Sequence, residues 1–92
     1  MKNLQIKVIN EVGLHARPLA VFISEAKKYQ STIQVKNVSG ATDFVNGKSI
    51  LSVLSLGVEK DQFIEIAADG ADEEQALEAL KNLIESDFVR KL

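Results

Sequence analysis

Three segments of this 92-residue chain alternate polar and apolar side chains with a period of two, the pattern that most limits its fold. They are LQIKVI at 4–9, TIQVKNV at 32–38 and QFIEIAA at 62–68. A strand with this period turns one face to a core and the other to water. Three such strands favour an antiparallel sheet with one covered face over a doubly wound parallel sheet, whose strands are apolar on both faces.

Two helices are predicted between these strands. The segment 17–29 has apolar residues at spacings of three and four, and Pro18 suits the first turn of a helix. The short run ILSVLSLG at 50–57 predicts a second helix, with Ser49 near its N-cap and Gly57 just past its end. Because this run is so short, a strand is the rival interpretation.

The rest of the chain completes the predicted order of elements. The segment 69–88 predicts a third helix, with Asp72 as its cap and Gln75 at the capping-box position. A Ser-Gly turn signal at 39–40 and the run ATDFV at 41–45 predict a returning strand and hence a hairpin. The order β-α-β-β-α-β-α predicts an α+β fold, a two-layer sandwich in a single domain over residues 1–92.

Composition and charge exclude several classes of function. A formal net charge of −2, with 11 scattered basic residues, argues against direct nucleic-acid binding. The absence of cysteine excludes disulfides and thiolate chemistry, and one histidine without a partner at ligand spacing predicts no metal site. No apolar run approaches the roughly 18–20 residues of a membrane span. We expect a cytoplasmic protein that needs no cofactor and does not insert into a membrane.

The stretch GLHARP at 13–18 contains the only histidine and the only proline of the chain. Pro18 predicts a helix start here, where unpaired N–H groups and the positive end of the macrodipole favour an anion such as phosphate. Arg17 adds a guanidinium that matches phosphate oxygens, and Gly13 permits unusual backbone conformations and leaves the approach to His15 open. Because a neutral imidazole is a competent nucleophile for phosphorus, these residues predict a phosphoryl acceptor and donor at His15. An inert histidine at a helix start is the alternative.

The second predicted helix has more apolar side chains than one buried stripe requires. A surface helix needs an apolar stripe roughly 100° wide, and this one covers well over half of the helical wheel. Either the short helix is sunk in the core, or Leu51 and Leu54 form an exposed docking patch. Ser49 is either an N-cap alone or a phosphorylation site whose negative charge would lie beside that patch. The apolar residues are Ile50, Leu51, Val53, Leu54 and Leu56.

Taken together, GLHARP, the segment KSILSVLSLG at 48–57 and the acidic start of the last helix resemble the HPr family. These are the histidine-containing phosphocarriers of the bacterial phosphoenolpyruvate-dependent sugar phosphotransferase system. The resemblance extends over essentially the whole chain. It implies an open-faced sandwich with a four-stranded antiparallel sheet in the order 1-4-2-3 and three helices on one face. It also implies that His15 carries the phosphoryl group on Nδ1, with Arg17 as the phosphate partner.

The same resemblance implies a set of partners. Phosphorylated enzyme I would supply the phosphoryl group, and the sugar-specific enzyme II components, through their enzyme IIA parts, would receive it. Such a carrier has no turnover chemistry of its own. Ser49 stands where many relatives have a regulatory serine, which HPr kinase/phosphorylase modifies and the catabolite control protein then recognises. We expect the docking face to include Ala16, Ala20, Leu51 and Leu54.

The second helix departs from the family pattern. Leu51 and Leu54 stand where many relatives have Met, and Ser52 stands where Gly is frequent. Docking should survive this change, but the stiffer Leu narrows the range of partners. The alternative function is a binding or regulatory module of a nitrogen-related or catabolite-repression branch. Such a module would act by phosphorylation-gated contact through Ser49 and the adjacent patch.

Overall fold

The computed structural model describes residues 1–9, 13–14 and 16–86, and at position 16 the backbone alone. The described part has the predicted order of elements, β-α-β-β-α-β-α. Within it, no helix is long and apolar enough to cross a membrane. In chain order the elements are β1 (Lys2–Lys7), α1 (Ala16–Ala26), β2 (Thr32–Asn37), β3 (Val45–Asn46), α2 (Ile50–Leu54), β4 (Phe63–Asp69) and α3 (Glu73–Glu85).

The four strands form one antiparallel sheet in the order β1-β4-β2-β3, as expected. The last strand of the chain therefore lies inside the sheet, between β1 and β2. Its central residue Ile66 is opposite Leu4 on one side and Val35 on the other. Because this register aligns the inward positions of three strands, their apolar side chains form one continuous surface.

The three helices cover one face of this sheet, and the core lies between the two layers. Ile33, Val35, Ile64 and Ile66 are fully buried on the covered face. On the other face, Gln34 alternates with them and is exposed, so the period-two prediction is confirmed for β2, whereas in β4 Ala67 on that face is buried as well. Burial of each such aliphatic or aromatic side chain stabilises the folded protein by about 1.5–3 kcal/mol. The helices supply Leu19, Phe22, Val53, Leu80 and Ile84.

The predicted returning strand at 41–45 is wrong in its extent, because β3 contains only Val45–Asn46. The pairing itself is as predicted, since β3 lies antiparallel to β2. The preceding backbone groups are used in a turn instead. The Asn37 N–H donates to Thr42 Oγ1 at 2.9 Å, and the Thr42 N–H donates to the Asn37 carbonyl at 3.1 Å. Ala41 has φ +56°, which a regular strand does not allow.

Asp72 precedes α3 as predicted, but its side chain does not cap the helix. The carboxylate instead accepts hydrogen bonds from the backbone N–H groups of Gln30 at 2.9 Å and Ser31 at 3.0 Å, and from the Ser31 hydroxyl. The Ser31 hydroxyl and then the Gln30 N–H hold the pKa of Asp72 below its ordinary value. Asp72 thus fixes the loop after α1 to the start of α3.

The acidic first turn of α3 makes further contacts outside the helix. Glu73, rather than the predicted Gln75, reaches back along the chain and accepts from the Gly70 N–H at 3.1 Å. This hydrogen bond lowers the pKa of Glu73. Glu74 pairs with Lys2 at 3.0 Å, and that bond raises the pKa of the Lys2 ammonium. The start of α3 is therefore joined to the first strand as well.

Candidate functional site

The first candidate site lies at the N-terminal end of α1. The helix begins at Ala16, one residue before the predicted start. Its buried side is anchored by Leu19, so Arg17 and Ala20 are exposed on the outer side. Its first turn contains no acidic residue, so nothing there opposes an anion at the positive end of the helix. His15 and the side chain of Ala16 lie outside the described residues.

The backbone just before position 15 is fixed by close packing. Gly13 has φ +61°, and a Cβ built there would lie 2.4 Å from the Val58 carbonyl oxygen and 2.7 Å from Glu59 Cα. The Leu14 N–H donates to the same carbonyl at 3.0 Å, and the Leu14 side chain is buried. Gly13 was expected to leave the approach to His15 open. What the structure shows is that glycine allows two backbones to approach closely.

The second candidate site lies at the start of α2, which is a helix and not the rival strand. Ser49 occupies the N-cap, as predicted, with φ −109° and ψ 116°. Its hydroxyl oxygen accepts from the Ser52 N–H at 3.4 Å, and its carbonyl accepts from the Val53 N–H at 3.1 Å. The helix ends at Leu54, earlier than expected, and Gly57 lies past that end with φ +61°.

The two interpretations of the apolar α2 residues each hold for part of the helix. Val53 is fully buried and Leu56 is 7% exposed, so these two belong to the core. Leu51 is 76% exposed, and Ile50 and Leu54 are each 43% exposed. We name Ile50, Leu51 and Leu54 the α2 patch. Exposed aliphatic side chains on one short helix are typical of a surface that a partner covers.

Lys48 is a residue that the sequence analysis missed. Its ammonium donates to the Tyr29 carbonyl at 2.7 Å, so it links the residue before Ser49 to the chain just after α1. The two helices also pack against each other. No sequence signal near position 48 identifies a carbonyl 19 residues away as its partner.

Asn37 is a second residue that the sequence analysis missed, and here a signal was present. It occupies an inward position of an alternating strand, in phase with Ile33 and Val35, and it is 2% exposed. A polar side chain at a core position requires hydrogen-bond partners. Its Nδ2 donates to the Leu56 carbonyl at 3.1 Å and to Gln62 Oε1 at 3.2 Å.

The site at the start of α1 is suited to bind an oxyanion. An exposed guanidinium in the first turn of α1, together with the partial positive charge of the helix start, suits a phosphoryl group. Among residues 1–9, 13–14 and 16–86, no group of three or more His, Cys, Asp or Glu side chains is placed to hold a metal ion.

Comparison with known proteins identifies the family. The model of the family described as "PTS HPr component phosphorylation site" matches residues 2–86. The chain belongs to the HPr family. It is 41% identical over 85 residues to the phosphocarrier protein HPr of Mycoplasma pneumoniae, covering 92% of this chain and 94% of that protein. The fold also agrees with the crystal structure of HPr-C-His from Thermoanaerobacter tengcongensis, at a TM-score of 0.91, 43% identity and complete coverage of both chains.

A further relative is much longer than this chain. The multiphosphoryl transfer protein of Vibrio cholerae is 45% identical over 74 residues, which are 80% of this chain and 18% of that protein. Family membership makes the chain a phosphocarrier of the phosphotransferase system, which serves sugar transport. The resemblance given by GLHARP and KSILSVLSLG is thereby confirmed at the level of the family, and the fold is confirmed in its strand order.

Proposed function

We propose that His15 accepts a phosphoryl group on Nδ1 from phosphorylated enzyme I and passes it to enzyme IIA components during sugar uptake. In the first transfer the imidazole lone pair forms the N–P bond. The bond between phosphorus and enzyme I breaks, and its electron pair stays on enzyme I. In the second transfer the receiving group on enzyme IIA attacks phosphorus and His15 is regenerated. The chain hydrolyses nothing and acts as a carrier.

The observation that carries this proposal is the exposed Arg17 side chain in the first turn of α1, two positions after His15. A guanidinium binds phosphate oxygens through charge-assisted hydrogen bonds, and the helix start adds partial positive charge. Both favour the charge that appears when the phosphoryl group arrives. The match to a family named for its phosphorylation site supports the same assignment.

The proposal includes the surface that partners contact. Ala20 lies exposed on α1, and the α2 patch lies on the helix that packs against α1. We place enzyme I and enzyme IIA on this face, with Ala16 as a further contact. The name of the Vibrio cholerae relative, a multiphosphoryl transfer protein, is consistent with a domain of this kind in a phosphoryl relay. We further propose that residues 1–92 form one domain, which acts in the cytoplasm.

Phosphorylation by enzyme I tests the carrier function directly. The protein is incubated with phosphoenolpyruvate and enzyme I, and its mass is measured before and after acid treatment. We expect a gain of one phosphate that acid removes, and no gain in His15→Ala. Arg17→Lys, which keeps the charge but loses the fork geometry, should slow the transfer about tenfold. An acid-labile phosphate on His15→Ala would show that the acceptor lies elsewhere.

A second function is supported by the position of Ser49 beside the α2 patch. Ser49 is partly exposed, and the only hydrogen bond of its hydroxyl in the described part of the chain is the long one to the Ser52 N–H. We propose that an ATP-dependent HPr kinase/phosphorylase modifies Ser49, and that the resulting dianion beside Leu51 recruits the catabolite control protein.

This second function is tested separately from the first. With ATP and the kinase, the wild-type protein should gain an acid-stable phosphate and Ser49→Ala should gain none. Should the wild type gain this phosphate and never the acid-labile one, the alternative function holds. The chain is then a regulatory module of a nitrogen-related or catabolite-repression branch, and the carrier function is lost.

A further inference from the structure

The loop between α2 and β4, residues 55–62, is hydrogen-bonded to one buried side-chain amide, that of Asn37. Asn37 donates from Nδ2 to the Leu56 carbonyl at 3.1 Å and to Gln62 Oε1 at 3.2 Å. Its Oδ1 accepts from the Gly40 N–H at 2.9 Å. Asn37 is 2% exposed, so both of its amide ends are satisfied inside the fold. The start and the end of the 55–62 loop are therefore bound to the same side chain.

Gln62 is the second part of this arrangement. Its Oε1 accepts from Asn37 and also from the Glu59 N–H at 2.9 Å. Its own N–H donates to the Glu59 carbonyl at 3.1 Å. A single acceptor oxygen thus joins the buried amide to the middle of the 55–62 loop. Replacing that oxygen would release the Glu59 N–H and leave a buried Asn37 donor unpaired.

The fixed loop in turn holds the chain that leads to His15. Val8 exchanges two backbone hydrogen bonds with it, from the Val8 N–H to the Gln62 carbonyl at 2.9 Å and from the Asp61 N–H to the Val8 carbonyl at 2.7 Å. The Leu14 N–H donates to the Val58 carbonyl at 3.0 Å, and Gly13 packs against the same group. Leu14 is the immediate neighbour of His15 in the chain.

These contacts form one continuous path from a core position to Leu14, the residue before the proposed acceptor. We propose that Gln62, held by Asn37, is a positioning residue for phosphoryl transfer at His15. It acts by fixing the Val58 carbonyl on which the Leu14 backbone rests. The inference goes beyond the proposed function and rests on it, because it takes His15 as the acceptor. Misplacing a reacting group by about 1 Å is enough to slow a reaction up to a hundredfold, so a loop contact of this kind affects rate.

Matched substitutions at Gln62 test the inference. Gln62→Met has a similar length without the acceptor oxygen, whereas Gln62→Glu keeps an oxygen in the same place. We expect Gln62→Met to lower kcat/KM for transfer from enzyme I about tenfold, and Gln62→Glu to stay within about twofold of wild type. The His15 ring resonances, followed by NMR in the free protein, should shift in Gln62→Met and not in Gln62→Glu.

A third variant separates positioning from loss of stability. Ile33→Val removes a methylene group from the core and lowers the Tm, and Ile33 lies in β2, opposite Ala68, outside the 55–62 loop and its hydrogen bonds. All rates are compared at a temperature where every variant is folded by circular dichroism. Ile33→Val should transfer at the wild-type rate with unchanged His15 resonances.

Two outcomes would overturn the inference. One is wild-type transfer and unchanged His15 resonances in Gln62→Met. The other is a loss of rate in Ile33→Val as large as that in Gln62→Met. Failure of the proposed function is distinguishable from both, because wild-type protein would then gain no acid-labile phosphate. In that case the His15 resonances still decide whether Gln62 sets the local geometry.

Discussion

The starts of α2 and α3 use similar polar residues in opposite ways. The Ser49 hydroxyl at the start of α2 bonds to its own helix through one long contact, to the Ser52 N–H at 3.4 Å. The Asp72 side chain at the start of α3 makes no capping bond to its own helix and accepts three hydrogen bonds from the loop at residues 30–31. The first side chain makes one long bond within its own helix, and the second joins its helix to another part of the fold.

The two helices also differ in how many side chains they bury. The 13-residue α3 buries five of its side chains, whereas the 5-residue α2 buries Val53 alone. An isolated helix of either length is unstable in water, so each depends on its tertiary contacts. For α3 these contacts are the core itself. For α2 they are Val53, the Ser49 cap and the Lys48 bond to the Tyr29 carbonyl. The surface proposed for partner docking is therefore on the helix that buries the fewest side chains.

The largest expected effect comes from truncating one leucine on each helix. Leu80 in α3 is fully buried and Leu51 in α2 is 76% exposed. We expect Leu80→Ala to lower the free energy of unfolding by about 3 kcal/mol, because it leaves a cavity. Leu51→Ala should change it by less than about 0.5 kcal/mol, because the side chain is already in water. Urea denaturation measures both values.

The same pair separates stability from docking. Leu51→Ala should weaken binding to enzyme I while leaving the fold intact, whereas Leu80→Ala should bind normally wherever it is folded. Titration of enzyme I with each variant, below its Tm, gives the affinities. Equal destabilisation by the two substitutions would mean that Leu51 is packed as deeply as Leu80. It would contradict the difference in burial between α2 and α3.

The next effect comes from the Asp72 carboxylate and depends on pH. Its pKa in the folded state lies below the ordinary value of 3.8, first because of the Ser31 hydroxyl. A lowered pKa means that its contribution to stability is present above the ordinary value and is lost as the pH falls through the folded-state pKa. We expect Asp72→Asn to lower the Tm at pH 7, because the hydrogen bonds to the ionised carboxylate are weakened. Below the folded-state pKa the two proteins should approach the same Tm.

Asp69 provides the matched control for this prediction. Its carboxylate is 69% exposed and forms a 3.7 Å ion pair with the chain's amino terminus. Exposed pairs of this kind add little stability, so Asp69→Asn should leave the Tm nearly unchanged at both pH values. Should Asp72→Asn behave like Asp69→Asn, the bonds to residues 30–31 would not stabilise the fold.

The sequence alone predicts most of the fold because its alternating segments correspond to half-buried strands. The sandwich architecture follows from that pattern, and the 1-4-2-3 order came from the family resemblance. The length of β3 could not be predicted, because Asn37 and Thr42 satisfy their backbone groups in a turn that competes with the strand. The hydrogen bonds of Asp72 to Gln30 and Ser31 could not be predicted either, because these partners lie 42 and 41 residues away in the chain.

Some parts of the candidate site could be predicted from the sequence and others could not. An exposed Arg17 in the first turn of α1 and a capping Ser49 follow from local sequence, and the structure confirms both placements. The division of the apolar residues at 50–56 into buried and exposed could not be predicted, because it depends on how a short helix tilts against α1. The hydrogen bond from the Leu14 N–H to the Val58 carbonyl could not be predicted either, because it joins two backbone groups and has no side-chain signal.

The smallest expected effect is at Ser49, and it decides whether that side chain is free for another role. Removing a good N-cap costs about 1 kcal/mol, but the 3.4 Å bond here is long, so Ser49→Ala should lower the free energy of unfolding by about 0.5 kcal/mol. Ser49→Asp should stay within about 0.5 kcal/mol of wild type, because aspartate is an equally good cap. Urea denaturation at pH 7 measures both. A loss above about 2 kcal/mol in Ser49→Ala would show that the fold depends on this hydroxyl as it does on the Asp72 carboxylate. A phosphate there would then unfold the start of α2 instead of adding a charge to an intact surface.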